Sequence, residues 1–144
     1  MIRLVETRDL AEVQRINEMF PDTFLKLTDR ELIDGHWWIA YLEMEAPTAI
    51  AGFCGYLPFE PFKGYVYLKR AAVFPEYRGR GLQHSMIRQR EAHARSLGKT
   101  HAITETEITN PASGNSMIKN GYKLFAPMRP WTADKEYVYW IKEL

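Results

Sequence analysis

The chain has 144 residues, 46% of them hydrophobic, and a formal net charge of +1. That length fits one domain with a core of its own, and the near-neutral balance argues against a general nucleic-acid binder. No run approaches the roughly 18 apolar residues of a membrane span, the first residues lack the apolar core of a signal peptide, and the single cysteine excludes an internal disulfide. A cytoplasmic location is expected.

Ile2 to Val5 reads as a first strand. Asp9 is a good N-cap, and Leu10, Val13, Ile16 and Phe20 follow at helical spacing until Pro21 and Asp22. Thr28 with Glu31 forms a capping box for a short second helix, closed by Asp34-Gly35. Strands follow at Trp37 to Glu43, Ala49 to Leu57 and Tyr65 to Val73. A long helix runs from about Arg80 to Leu97, with Leu82, Met86, His93 and Leu97 on one stripe and Gly98 as C-cap. Arg88, Arg90 and Arg95 read with Glu91 as its solvated charged face. Thr100 to Ile108 is a strand, and Asn110-Pro111 opens a helix that Gly121 ends. Tyr122 to Ala126 and Glu136 to Ile141 close the chain as an antiparallel pair. The exposed second strand of that pair offers an edge for a homodimer.

The most informative stretch is Tyr77-Arg78-Gly79-Arg80-Gly81-Leu82, at the strand-to-helix junction. Two glycines let amides point outward unobstructed, and the free amides of a helix start form an anion site. Arg78 and Arg80 add charge suited to phosphate. A pyrophosphate-bearing cofactor is the natural guest. A dinucleotide fold fits less well, since the third glycine is missing and the turn follows a late strand.

Val73-Phe74-Pro75-Glu76-Tyr77-Arg78-Gly79-Arg80-Gly81-Leu82 resembles the acetyl-CoA signature of the GNAT superfamily of N-acetyltransferases, Q/R-x-x-G-x-G/A. Asn110-Pro111-Ala112-Ser113, with Lys119-Asn120-Gly121-Tyr122 beyond it, resembles the family's later helix and its Gly-aromatic pair. Over residues 1–144 the resemblance implies a single domain of α/β class. The fold would be an α+β sandwich whose mixed, mostly antiparallel twisted sheet is flanked by helices in the order βααβββαβαββ.

The resemblance further implies an acetyl-CoA-dependent N-acetyltransferase in which a primary amine attacks the thioester directly, without a covalent enzyme intermediate. Residues Arg78, Gly79, Arg80, Gly81, Leu82 and Gln83 would present amides to the pyrophosphate. Ala71 and Val73 would bind the pantetheine arm through their backbone, with the Val73 amide polarising the acetyl carbonyl. Asn110, with Ser113 nearby, would hold pantetheine from the other side. The acceptor would be a small-molecule or peptide amine, with no nucleic-acid or membrane partner.

Three positions depart from the family pattern. Glu76 replaces the usual Gln or Arg. Met117 stands where many members have a tyrosine that protonates the leaving thiolate. Tyr67 stands where some members carry a glutamate base. These losses keep open an alternative, a weakly catalytic acyl-CoA-binding sensor or interaction domain.

Glu105 and Glu107 share one face of their strand, and Glu105, being deeper, is the candidate base. Tyr67 is a second candidate, as acid or water anchor. Phe24, Arg129 and Trp131, in loops that line the acceptor site of the resembling fold, are candidate acceptor contacts. Cys54 reads as a buried small hydrophobe. His36, His84, His93 and His101 show no paired ligand spacing, so no metal is expected.

Overall fold

A computed structural model of the chain describes residues 2–20, 25–43, 49–132 and 135–144. The elements are β1 (Ile2–Thr7), α1 (Leu10–Glu18), α2 (Asp29–Asp34), β2 (His36–Leu42), β3 (Ala49–Pro58), β4 (Tyr65–Tyr67) and β5 (Ala71–Val73), followed by α3 (Leu82–Ser96), β6 (His101–Glu107), α4 (Pro111–Lys119), β7 (Lys123–Phe125) and β8 (Tyr137–Glu143). One 8-stranded sheet runs β1-β2-β3-β4-β6-β8-β7, with β5 paired to β3. All pairings are antiparallel except β4 with β6.

Successive strand residues face opposite sides, so the tandem Trp37 and Trp38 enter two different cores. Trp37, Ile39 and Phe53 pack beneath α1 and α2 with Val13, Ile16 and Leu32. Trp38, Ala40 and Tyr56 pack against Met86, Ile87 and Ala94 of α3. Burial of each large apolar side chain contributes about 1.5–3 kcal/mol, and both sheet faces are covered. The expected N-caps form: Asp9 accepts from the Glu12 amide, and Thr28 and Glu31 make the reciprocal capping box. Cys54 is fully buried, and burial raises its thiol to about 11.

The strand expected over Tyr65 to Val73 is divided. Leu57 faces Tyr67 but Cys54 faces Ala71, so the far strand has one residue too many. Lys69 and Arg70 both oppose Gly55: the Lys69 amide donates to its carbonyl at 3.2 Å, and its amide donates to the Arg70 carbonyl at 3.0 Å. This is a β-bulge, which bends the strand that carries it. On one side of the bulge β4 stays beside β6; on the other, β5 follows β3. Beyond the bulge β5 is no longer paired with β6, and the gap between those two strands is the splay.

The bulge is fastened from both faces. From α3, the Arg90 guanidinium donates to the Gly55 carbonyl at 3.2 Å and to the Arg70 carbonyl at 3.3 Å. On the opposite face, Lys69 pairs with Glu31 at 3.0 Å, and Arg70 donates to Asn17 at 3.2 Å and to the Leu25 carbonyl at 3.1 Å. Arg90 is therefore not part of the solvated face read from the sequence. Neither is Glu91, which is 0% exposed and accepts from Tyr122 at 2.9 Å and from Lys142 at 3.0 Å. Leu97, expected in the apolar stripe, is half exposed at the end of α3.

The final strand also differs from expectation. β8 pairs with β6 on one side and, at Tyr139, Trp140 and Ile141, with β7 on the other, so it is not the last strand of the sheet. The edge expected over Glu136 to Ile141 is thus covered by β7 at its last three residues.

Truncating Arg90 leaves a cavity and takes a charged donor from two carbonyls. Arg90→Ala is expected to lower stability by roughly 3 kcal/mol. Arg90→Met, which refills the stem while each carbonyl keeps its backbone donor, should cost less than half as much. Urea unfolding of both variants measures the difference.

Candidate active site

Two structures meet at the splay: a backbone anion loop at the start of α3, and a side-chain cluster on β4, β6 and the loop before β8. The anion loop is made by glycine. Gly79 has φ 77° and Gly81 has φ 75°, a conformation that other residues rarely adopt. A Cβ at either position would meet no atom within 4 Å, so the space in front of both is open. The first helical bond runs from the Ser85 amide to the Gly81 carbonyl at 3.1 Å. Amides 79–84 donate to no backbone acceptor among the described residues. They cluster at the positive end of a 15-residue helix. The Arg78 amide is not among them, because it closes the preceding 3₁₀ turn onto the Pro75 carbonyl at 3.3 Å.

The second part of the trench is backbone too. The Phe74 amide donates to the Ala51 carbonyl, and Arg70 accepts from Gly55, so alternate residues of β5 are spent on β3. By strand alternation, the amides and carbonyls of Ala71 and Val73 face the splay. There the Val73 carbonyl accepts from Arg78 Nε at 3.2 Å. Across the trench, Asn110 caps α4: its Oδ1 accepts from the Ser113 amide at 3.3 Å, and its Nδ2 donates to Ser113 Oγ at 3.1 Å. Both side chains are thus already engaged with each other at the start of that helix.

The side-chain cluster centres on Glu105. Its Oε1 accepts from the Tyr67 hydroxyl, and its Oε2 accepts from Trp131 Nε1 at 2.9 Å. The parallel pairing of Tyr67 with Ile103 sets this up, because Glu105 lies two residues beyond Ile103 on the same face. Trp131 is walled by Tyr139 at 4.7 Å, Phe59 at 5.5 Å and Phe125 at 6.0 Å between ring centroids. Burial, and then the Glu105 charge, push the Tyr67 phenol far above its ordinary value, so it remains a hydrogen-bond donor.

Glu105, Tyr67 and Trp131 are therefore brought together. Arg129 is exposed two residues before Trp131, and Phe24 lies outside the described residues. Sequence reading missed Phe59, Phe125 and Tyr139 as the walls of this cluster. Only the separate naming of Glu105 and Tyr67 as candidates carried any signal of it.

The sequence model of the Acetyltransferase (GNAT) family matches residues 6–122. The chain belongs to that family. No curated protein sequence matches it closely. Among solved structures, an IAA acetyltransferase from Bacillus cereus superposes with a TM-score of 0.76 at 13% identity, over 100% of both chains. Arabidopsis thaliana NAA60, in complex with a bisubstrate analogue, gives 0.72 at 13% identity over 99% of this chain and 98% of its own. A candidate streptothricin acetyltransferase from Bacillus anthracis, in complex with acetyl coenzyme A, gives 0.67 at 21% identity, over 83% of this chain and 70% of its own. These likenesses are of fold: a mixed α/β GNAT architecture with a mostly antiparallel sheet flanked by helices. No helix among the described residues is long and apolar enough to cross a membrane.

The part-buried position of Tyr67 against Glu105 has a spectroscopic consequence. In alkaline titration, the phenolate absorbance gained up to about pH 11, whichever other tyrosines supply it, should be the same in the wild type and in Tyr67→Phe. A smaller amplitude in the variant would mean that Tyr67 ionises with them.

Proposed function

We propose that this GNAT protein is an acetyl-CoA-dependent N-acetyltransferase that moves an acetyl group from the thioester to a primary amine by direct attack. One observation carries the reading: the open αL glycine loop before α3 lies at the mouth of a splay whose far wall carries a carboxylate fixed by two donors. The residues fit the cosubstrate. Amides 79–83 suit its pyrophosphate, with Arg80 exposed beside them. The splay-facing backbone of Ala71 and Val73 suits an amide-bearing arm. Asn110 Nδ2 keeps a second proton for the same arm from the other side.

When bound, the thioester supplies the activated acetyl carbon. The amine nitrogen forms a bond to that carbon, the C–S bond breaks, and sulfur leaves with the electron pair. The Val73 amide is the donor for the carbonyl oxygen as charge develops. Glu105 takes the proton that the attacking nitrogen must lose, directly or through one water. Tyr67 acts as a positioning residue. It occupies the place where the family resemblance puts a glutamate, and its hydroxyl holds a carboxylate that arrives from β6 instead. The missing base is replaced across the strand pair.

The rings around Trp131 make an apolar wall beside that carboxylate. This suits an amine with an aromatic or apolar body, and the exposed Arg129 suits a carboxylate on the same acceptor. Phe24 is proposed as a further acceptor contact from the α1–α2 loop. One observation favours a second reading, a weakly catalytic acyl-CoA-binding module: Met117, where a tyrosine would protonate the thiolate, is buried and carries no acid.

Acetyl-CoA calorimetry followed by an amine panel separates the two readings. Binding is expected in the wild type and is expected to be lost in Gly79→Glu/Gly81→Glu. Glu105→Gln should lower kcat about tenfold or more with cofactor affinity unchanged, and Trp131→Ala should raise acceptor KM. Binding without turnover on any amine would favour the second reading. Near-normal turnover of Glu105→Gln across pH would remove Glu105 as the base.

A further inference from the structure

Two of the four histidines that looked unrelated in sequence, His36 and His93, meet on the α3 face of the sheet. Glu6 pairs in register with Trp38, and His36 lies two residues before Trp38, so both point to the same face. His93 descends onto them from α3, its ring centroid 4.6 Å from that of His36. Glu6 Oε1 lies 3.5 Å from His93 Nε2 and 3.9 Å from His36 Nδ1. All three ligand atoms fall within 4.8 Å of one another.

We propose that Glu6, His36 and His93 form a binding site for one zinc-class divalent cation, separate from acetyl transfer, that ties α3 to β1 and β2. The donor set is two imidazoles and a carboxylate with a fourth position left to water, an arrangement that suits zinc. Bonds of about 2.0–2.1 Å in a tetrahedral site put ligand atoms roughly 3.4 Å apart. The Glu6–His93 spacing is already close to this, and the other spacings close by side-chain rotation. The ligands come from three rigid elements, and the Glu6 side chain, 42% exposed, supplies the adjustable member and the entry path.

The outer arrangement is present as well. His93 Nδ1 lies 2.7 Å from the buried Tyr56 hydroxyl. With Nδ1 protonated and donating to Tyr56, the lone pair of Nε2 faces Glu6 and His36, which is how a ligating imidazole is oriented by a second partner. Arg8 and Lys99 add positive charge nearby and oppose a cation. Their effect is through solvent and screened, whereas the three ligands bond the ion directly. His93 lies about 16 Å along α3 from Leu82, taking 1.5 Å per residue, so the cation would not share the anion loop.

The test is titration of the full chain with zinc chloride and with cobalt chloride. The expected result is one equivalent bound with Kd at or below about 10 µM, visible absorption of four-coordinate cobalt, and a thermal midpoint that rises with zinc concentration. Glu6→Gln alters a part-exposed side chain and should preserve the fold, checked by unchanged far-ultraviolet circular dichroism. It should weaken binding at least tenfold. Tyr56→Phe should weaken binding about 10–100-fold, and His36→Gln or His93→Gln should abolish it. No binding below about 100 µM, or binding that Glu6→Gln leaves unchanged, would overturn the proposal.

Discussion

The architecture depends on one extra residue in one strand and on the guanidinium that holds it there. A bulge at Lys69-Arg70 disrupts the ladder, and the backbone carbonyls at such a point lie in the interior beneath α3. Arg90 reaches both Gly55 and Arg70 while its own Nε donates to the Met86 carbonyl at 3.1 Å. A buried guanidinium is costly unless its donors are satisfied. Here three carbonyls share them. The same helix that presents the glycine loop at its start therefore fixes, two turns later, the bulge beyond which the strand no longer pairs with β6. Loop and trench keep their spacing because one rigid element sets both.

The opposite face of the bulge is tied to α1 and α2. Lys69 and Arg70 point toward α1 and α2, where Glu31, Asn17 and the Leu25 carbonyl receive them. Gln14 exchanges two bonds with Leu27, at 2.7 Å and 3.2 Å, which pins the same loop to α1. Lys69 also sits 5.7 Å from the ring centroid of Tyr67, beside the carboxylate cluster. Helices, bulge and cluster are one connected set, so a change in the α1–α2 loop reaches Glu105 through few intermediates.

Much of this was legible in the chain because it is local. Caps, glycine turns and two-residue alternation act within a few residues, and the expected helices and nearly all strands appear close to their expected limits. What was not legible depends on pairing between distant segments. A continuous β-favouring run from Tyr65 to Val73 gives no sign that Gly55 will face two residues of it. Charged residues at helical spacing read as a solvated face, yet Arg90 and Glu91 are buried because the bulge and Tyr122 with Lys142 supply their partners. Likewise Glu136 to Ile141 reads as a final edge until β7 is seen to cover it, and no sequence spacing announces that Glu6, His36 and His93 converge. The departure at Tyr67 looked like a lost function. The register of β4 on β6 sets the Glu105 carboxylate against the Tyr67 hydroxyl, which no spacing within either strand announces.

Cys54 has a practical bearing on the bench. The chain has one cysteine, it is wholly enclosed, and its thiol is raised to about 11. Thiolate is the species that attacks an aromatic disulfide reagent, and at neutral pH this side chain presents almost none of it. A colorimetric assay for free thiol can therefore be run continuously with the folded protein at high concentration, with almost no signal from the protein itself.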